Sequence, residues 1–410
     1  MNVRAIWRRW PLVRAIAPVL LAAMALGAGS SGQGAIIHGT GPVPPAFSLG
    51  RIVMRTATFG WASFGGTAGS TVGFTTDGGL VWQRLPQPPE GKVFAWVVGA
   101  GALWAIASHD DGRDGVLLRA SAAPPGWQRI AALPRPPVPG SDVPVWGVWT
   151  TARGAVEVSL IVWRPGTPPG ARPLKVMWWR LSGHALRGAS APAQGLPPLV
   201  AYAVTRWGAL RASPDGTAAL SVTDNLGLTW RRVTLRWTPV GSLAAYVTQP
   251  LPLPGSPGVY LMPIVLWNRG VIVGWPGHLV ASVAEVARGS ATAGRWSPVV
   301  PPVHLPVATA DVRVVPQSAL VWWLSAIGPS VAHPRSTDNI LLRTMDGGRT
   351  WHAAKLPAPA DEPGEFAFAG SRGWLVAGAY GTFATYLFGT ADDGRTWHRI
   401  AYRVEAVAAK

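Results

Sequence analysis

Short apolar runs separated by polar turn residues recur along this chain. Residues 340–342 and 386–388 are two such runs, and each leads into a turn that contains Asp and Gly. Residues of alternating character follow each turn, and a period of two is typical of a strand with one buried face. An Asp–Gly turn between two such segments predicts a β-hairpin. The pattern therefore predicts an all-β chain.

Four of these turns share the pattern Thr-x-Asp-x-Gly-x-Thr-Trp, and we name them boxes 1 to 4. Boxes 3 (344–351) and 4 (390–397) are complete, box 1 (75–82) has Val81 for the second Thr, and box 2 (223–230) has Asn225 for Asp. The Asp or Asn side chain accepts backbone N–H groups, Gly supplies positive φ, and Trp buries a large apolar surface. We predict that the box residues are structural, with catalysis or metal binding as the alternative: Thr75, Asp77, Gly79, Trp82, Thr223, Asn225, Gly227, Trp230, Thr344, Asp346, Gly348, Trp351, Thr390, Asp392, Gly394 and Trp397.

This pattern resembles the Asp-box, or BNR, repeat of sialidase-like β-propellers. The resemblance implies that each box joins the third and fourth strands of a blade, at the periphery and away from the ligand face. An inner Gly-Trp-x-Val strand such as residues 373–376, followed by a box, is similar to the photosystem II assembly and stability factor family. Members of that family are non-catalytic seven-bladed scaffolds, so the resemblance implies a binding or assembly role outside the cytoplasm.

The spacing of the repeats predicts the number of blades. Units of about 40–50 residues are typical of propellers, and degenerate units fill the gaps between the box tryptophans. We predict one propeller domain over residues 50–410, made of seven four-stranded antiparallel blades, or six if the third unit is an insertion. Whether residues 52–54 complete the last blade, which ends near 402–404, or only abut it stays open. The predicted units cover residues 50–88, 91–135, 142–192, 198–240, 243–303, 308–358 and 364–404.

The N-terminal residues predict export. Residues 1–35 carry Arg4, Arg8, Arg9 and Arg14 and then an apolar stretch over 15–28, which is short for a membrane span. We predict a signal peptide, with an uncleaved anchor as the alternative, followed by a linker over 36–49. The protein is then extracellular, on the cell surface or periplasmic, and an uncleaved segment would be its only membrane contact.

Composition narrows the chemistry and the partners. The chain is 48% hydrophobic and 13% charged, and its lack of Cys excludes disulfides, thiolate catalysis and Cys-based zinc sites. Its 23 Trp invite a sugar-binding interpretation, although core packing is favoured. The net charge of +17 favours a protein or cell-envelope polymer partner, possibly anionic, although the arginines are scattered. Nucleic acid is not expected for an exported protein, and neither a metal nor a cofactor is predicted.

Candidate binding residues lie on the side of the blades opposite the boxes. The turns between strands 2 and 3 and the links between blades are predicted to emerge there. Asp110, Asp111 and Asp114 lack the alternating spacing of a calcium loop, so a solvated turn is favoured over a metal site. The residues that we assign to this ligand face are His109, Asp111, Asp114, His333, Arg335 and Asp338.

A sialidase-like glycoside hydrolase is the alternative function. That family uses an arginine triad, a Tyr–Glu pair and an acidic Asp, and residues 51–53 are the nearest match to its Arg-Ile-Pro motif but lack the Pro. Glu157 and Glu285 lie in apolar surroundings, where alternation could simply place them outward. We therefore predict no catalytic residue and a non-catalytic scaffold.

Overall fold

A computed structural model places most of the chain after residue 47. The described residues are 48–65, 71–99, 101–109, 114–136, 143–151, 154–164, 174–190, 200–203, 209–210, 216–223, 229, 231–238, 244–247, 250–256, 258–267, 282–290, 294–299, 302–307, 311–331, 337–355, 362–378 and 385–407. Within these ranges all the secondary-structure elements are β-strands. The predicted leader and nearly all of the predicted linker lie outside them.

The first three sheets follow one another along the chain and are antiparallel between sequential strands. The first contains β1 (Ser48–Met54), β2 (Gly60–Gly65), β3 (Thr71–Thr75) and β4 (Val81–Arg84). The second contains β5 (Lys92–Gly99), β6 (Ala102–Ser108), β7 (Gly115–Ala122) and β8 (Pro125–Ala132). The third contains β9 (Val143–Thr150), β10 (Val156–Trp163), β11 (Lys175–Ser182) and β12 (Ala185–Ala189).

A ten-stranded sheet follows, in which two groups of strands are joined edge to edge. Its strands are β13 (Val200–Ala203), β14 (Ala209–Leu210), β15 (Thr217–Thr223), β16 (Arg231–Arg236), β17 (Ala244–Val247), β18 (Leu251–Pro252), β19 (Val259–Trp267), β20 (Ser282–Ser290), β21 (Arg295–Pro298) and β22 (Val303–Leu305). The joint is the parallel pair β16–β21, in which Thr234 lies opposite Arg295 and Leu235 opposite Trp296.

The last two four-stranded sheets are built like the first three. One contains β23 (Asp311–Pro316), β24 (Trp322–Pro329), β25 (Thr337–Thr344) and β26 (His352–Ala353). The other contains β27 (Glu362–Ala369), β28 (Arg372–Gly378), β29 (Thr385–Thr390) and β30 (His398–Ile400). The all-β class and the four-stranded antiparallel sheets are therefore confirmed, whereas the number of blades stays a prediction.

The C-terminal strand β31 (Arg403–Ala406) extends the first sheet instead of the last one. It runs parallel to β4, with Arg403 opposite Val81 and Ala406 opposite Arg84. The backbone N–H of Val407 donates to the carbonyl of Arg84 at 3.0 Å and continues this ladder. Residues 52–54, which the sequence left as a possible partner for the last blade, pair with β2.

The chain divides into two compact units. The first contains residues 1–193, 383–387 and 400–410, and the second contains residues 194–382 and 388–399. In the first unit, large apolar side chains from neighbouring sheets pack together, among them Trp61, Phe74, Trp96 and Leu103. In the second unit, Leu220 and Leu235 pack against Ile264, Val283 and Trp296.

Candidate functional site

Box 3 forms a turn closed by its first threonine and its aspartate. Thr344 is buried, and its hydroxyl donates to Asp346 Oδ1 at 2.8 Å. The Gly348 N–H donates to the same Thr344 hydroxyl oxygen at 2.8 Å. Asp346 Oδ1 also accepts the Thr350 N–H at 2.9 Å, and Asp346 Oδ2 accepts the Thr350 hydroxyl at 2.6 Å. The carboxylate thus ties the start of the turn to its end.

Box 4 repeats this geometry. The Thr390 hydroxyl donates to Asp392 Oδ1 at 2.7 Å, and the Gly394 N–H donates to the Thr390 hydroxyl at 2.9 Å. The Thr396 N–H and hydroxyl donate to Asp392 Oδ1 and Oδ2 at 3.0 and 2.7 Å. Both oxygens of Asp392 are therefore engaged within the turn.

Box 1 keeps the turn but lacks one bond. The Thr75 hydroxyl donates to Asp77 Oδ1 at 2.8 Å, and this oxygen also accepts the N–H groups of Leu80 and Val81, each at 3.0 Å. Val81 has no hydroxyl to offer the second carboxylate oxygen. The Gly79 N–H still reaches the Thr75 hydroxyl at 3.0 Å.

These bonds hold the box carboxylates in the ionised form. The hydroxyl and then the N–H of Thr350 lower the pKa of Asp346, and the N–H and then the hydroxyl of Thr396 lower the pKa of Asp392. For Asp77, desolvation acts to raise the pKa, but bonds from Val81 and other donors outweigh it and the pKa is lowered. A general acid or base works best with a pKa near the operating pH, so these carboxylates are poorly suited to proton transfer.

Boxes 1, 3 and 4, which the structure describes in full, also contact the first hairpin of their own sheets. The N–H at the fourth box position donates to a carbonyl there: Gly78 to Thr58 at 2.7 Å, Gly347 to Leu320 at 2.8 Å and Asp393 to Ser371 at 3.0 Å. In these three boxes the fourth and fifth positions have positive φ. The repeated bond joins the two hairpins at one end of the sheet.

The box tryptophans contribute by packing. Trp82 and Trp397 are buried, and Trp351 packs partly buried against an apolar cluster of the second unit. Their indole N–H groups have no hydrogen-bond partner among the described residues, so what they supply is apolar surface. In box 2, Thr223 is buried, whereas Asn225, Gly227 and Trp230 lie outside the described residues.

The structure describes three of the six residues assigned to the ligand face. His109 and Asp114 are exposed on either side of residues 110–113, which lie outside the described residues. Asp114 Oδ1 accepts a hydrogen bond from Arg135 Nε at 3.3 Å. Asp338 lies in β25 opposite Gly328, in the other unit, and is half-buried. Asp111, His333 and Arg335 lie outside the described residues. The assignment of all six to one binding face stays a prediction.

Two glutamates are fully buried, although alternation alone could have placed them outward. Glu157 Oε1 accepts Arg180 Nη2 at 2.7 Å and Nε at 2.8 Å, from the residue directly opposite on the neighbouring strand. The Thr238 N–H donates to both carboxylate oxygens of Glu285, at 3.1 Å to Oε1 and 3.0 Å to Oε2. Burial raises the pKa of Glu285, and the bonds from Thr238 oppose that rise.

Side chains that could coordinate a metal ion do not cluster in the described part of the chain. No group of three or more His, Cys, Asp or Glu side chains suited to a metal occurs there. The described residues also include no helix with the length and apolarity to cross a bilayer.

Comparisons with known proteins give one weak line of homology. No protein-family model matches the chain. Photosystem II stability/assembly factor HCF136, chloroplastic, of Arabidopsis thaliana is 29% identical over 126 residues, or 30% of this chain and 28% of that protein. The protein of the same name from Oryza sativa subsp. japonica is 27% identical over 131 residues, again 30% of this chain and 28% of that protein. The chain therefore spans less than a third of these curated relatives, and the match supports a propeller-like superfamily.

Two solved structures resemble the chain at low TM-scores. A puromycin-hydrolyzing peptidase of Mycobacterium tuberculosis is 13% identical with a TM-score of 0.44, over 86% of this chain and 52% of that one. A Hadza microbial sialidase is 15% identical with a TM-score of 0.32, over 74% of this chain and 56% of that one. Similarities this distant carry no argument about activity.

Proposed function

We propose that this protein is an exported, non-catalytic β-propeller that acts as a binding or assembly scaffold at the cell surface or in the extracytoplasmic space. The observation that carries the proposal is the homology to a protein named as a stability and assembly factor. Its partner is a protein or a cell-envelope polymer.

The arrangement of strands supports the propeller. Five sheets contain four antiparallel strands in chain order, and their bounds follow the repeats seen in the sequence. Under this proposal each of these sheets is one blade, and the ten-stranded sheet comprises two blades joined through β16 and β21. The strand β31 then fastens the C-terminus to the first blade, and residues 50–410 form one domain.

The box aspartates and the two buried glutamates are engaged in contacts within the fold. The box aspartates brace turns, Arg180 neutralises Glu157, and Glu285 caps the Thr238 backbone. These contacts support a structural role for each group, which fits a scaffold better than the alternative of a sialidase-like hydrolase.

The export and scaffold roles are tested in the producing cells. The full chain with a C-terminal tag is compared with a chain that lacks residues 1–35, by cell fractionation and chemical cross-linking. We expect the full chain outside the cytoplasm in a reproducible cross-linked complex, and the truncated chain inside without it. A full chain that stays in the cytoplasm would refute export.

The non-catalytic role is tested with the purified residues 36–410. Fluorogenic sialosides and other glycosides are supplied, and no turnover above buffer is expected. Turnover that disappears in Glu157→Gln or Glu285→Gln, while the variant melts cooperatively, would establish the hydrolase instead.

A further inference from the structure

One face of the ten-stranded sheet carries a cluster of exposed arginines. In β16 the buried residues Val233 and Leu235 alternate with Arg232, Thr234 and Arg236, and these three are exposed. Since neighbours along a strand point to opposite faces, Arg232 and Arg236 lie on the face away from the core.

The parallel pair β16–β21 extends this face to the next strand. Arg295 is exposed and lies opposite Thr234, whereas the buried Trp296 lies opposite Leu235 in the core. Arg236 follows Leu235, and Ser297 follows Trp296. Both residues therefore lie on the same outward face as Thr234 and Arg295.

Strand β20 completes the face. Arg288 is exposed and lies opposite Ser297 in the antiparallel pair β20–β21. Ala284 and Val286 are on the same side of β20 as Arg288 but are buried. The exposed part of this face therefore ends at Arg288. We name Arg232, Arg236, Arg288 and Arg295, with the hydroxyls of Thr234 and Ser297, the arginine face. All six belong to the second compact unit.

The charges of the arginine face are not neutralised within the described chain. None of its four arginines forms an ion pair there. The face also carries no carboxylate among the described residues, because Glu285 of β20 lies on the opposite side of its strand. It is a positive surface in a chain of net charge +17, and it is complementary to an anion.

The spacing favours an extended anion. Two residues along a strand are about 7 Å apart and adjacent strands about 4.8 Å, so the Cα atoms of Arg232 and Arg236 are about 13 Å apart with Arg295 beside their midpoint. A small anion would contact one or two of these groups, whereas a linear polymer with repeated charges contacts them all.

The residue types favour a sugar polymer that carries carboxylates. A guanidinium binds a carboxylate through two parallel N–H bonds, and all four cations here are arginines. The hydroxyls of Thr234 and Ser297 stand between them and suit the hydroxyls of sugar rings. A face that binds membranes combines basic groups with inserted apolar side chains. Among the described residues, Val299, directly after β21, is the one large exposed aliphatic side chain next to this face.

We propose that the arginine face binds a linear acidic polysaccharide through guanidinium–carboxylate pairs. The idea rests on the export part of the proposed function, because such polymers lie outside the cytoplasm. It adds the chemical class of one partner, and it does not require the face to be the only binding surface.

The test is binding of residues 36–410 to immobilised polygalacturonate by biolayer interferometry. We expect Arg232→Gln/Arg236→Gln/Arg295→Gln to weaken binding by about tenfold or more, because three bidentate contacts are lost. The matched control Arg349→Gln/Arg372→Gln/Arg395→Gln removes three exposed arginines from elsewhere in the same unit. It should weaken binding by less than about threefold, because these arginines lie outside the three strands that form the arginine face and charges that do not touch the ligand are screened. Thermal melts check that both variants are folded.

Other ligands test which chemical class the arginine face binds. Neutral dextran, polyphosphate and vesicles with anionic phospholipid should bind more weakly than polygalacturonate, and Arg→Lys at the same three positions should restore only part of the affinity. The proposal would be overturned if polygalacturonate did not bind, or if vesicles or polyphosphate bound more strongly. It would also be overturned if the two triple variants lost the same affinity, or if Lys at the three positions restored binding fully. None of these results depends on fractionation or on glycoside turnover, so the scaffold proposal fails or stands separately.

Discussion

Boxes 1 and 3 place the same carboxylate in the same turn, but box 1 has a methyl group where box 3 has a hydroxyl. In box 3, Thr350 donates through both its N–H and its hydroxyl, one to each oxygen of Asp346. In box 1, Val81 donates only its N–H, to Asp77 Oδ1. The turns otherwise share their threonine bonds, their positive φ angles and their contact with the first hairpin. The hydroxyl bond to the second carboxylate oxygen is therefore the difference that residue 81 makes.

The largest effect is expected where a box turn has no room for a side chain. Gly394 has φ +80°, and a Cβ there would overlap the ring of Trp323. Gly347 has φ +73°, but a Cβ there would meet Leu320 Cδ2 at 3.6 Å, an ordinary contact. Gly394→Ala should therefore lower the free energy of unfolding by about 3–4 kcal/mol and Gly347→Ala by about 1–2 kcal/mol. Urea unfolding measures both, and equal effects would contradict the close packing at Gly394.

Removal of the carboxylate comes next. Asp346→Ala leaves the donors of Thr344 and Thr350 without their acceptor and should lower the melting temperature by about 2–5 °C. Asp77→Ala should lower it less, because Asp77 lacks the hydroxyl bond from position 7. Calorimetry of the two variants gives the ranking, and a larger loss from Asp77→Ala would contradict it.

Exchange of the distinguishing residue should give smaller and opposite effects. Thr350→Val removes the hydroxyl bond to Asp346 Oδ2 and should destabilise by about 1 kcal/mol. Val81→Thr supplies the matching hydroxyl in box 1 and should stabilise by about 0.5 kcal/mol, since the added bond partly replaces solvation. Chemical unfolding measures both, with Thr350→Ser as a control that keeps the hydroxyl. Destabilisation by Val81→Thr would argue against the proposed bond.

The smallest effect is a change in acid sensitivity. The pKa values of Asp346 and Asp392 are lowered in the folded protein from an ordinary value of 3.8. A lowered folded pKa stabilises the protein above the unfolded-state pKa, and this contribution is lost as pH falls below about 4 towards the folded pKa. Thr350→Val should reduce the shift at Asp346 and flatten the fall of melting temperature between pH 5 and about 2. A steeper fall of the melting temperature in this variant would contradict the conclusion that Thr350 lowers the pKa of Asp346.

The local features of the fold could be predicted from the sequence, because they depend on neighbouring residues. The Thr-Asp-Gly order of box 3 places acceptor, donor and positive φ within five residues, and these bonds are all local. The alternation of Arg232 and Arg236 with Val233 and Leu235 is equally visible in the sequence, but the position of Arg288 and Arg295 beside them depends on strand pairing.

Features that depend on distant strands could not be predicted. Nothing in residues 403–406 selects β4 as a parallel partner, and nothing around Arg295 indicates a joint with β16. Glu157 and Glu285 are buried because Arg180 and the Thr238 N–H supply their bonds. Those partners are 23 and 47 residues away in sequence, so alternation alone could not reveal them.

The most direct test of the brace is a double-mutant cycle that combines Asp77→Ala with Val81→Thr and measures unfolding free energies. If the new hydroxyl acts by binding the carboxylate, Val81→Thr stabilises the wild-type chain and has no stabilising effect in the Asp77→Ala background, which gives a coupling of about 0.5 kcal/mol. Equal effects of Val81→Thr in both backgrounds would show that position 7 acts independently of the aspartate and would contradict the account.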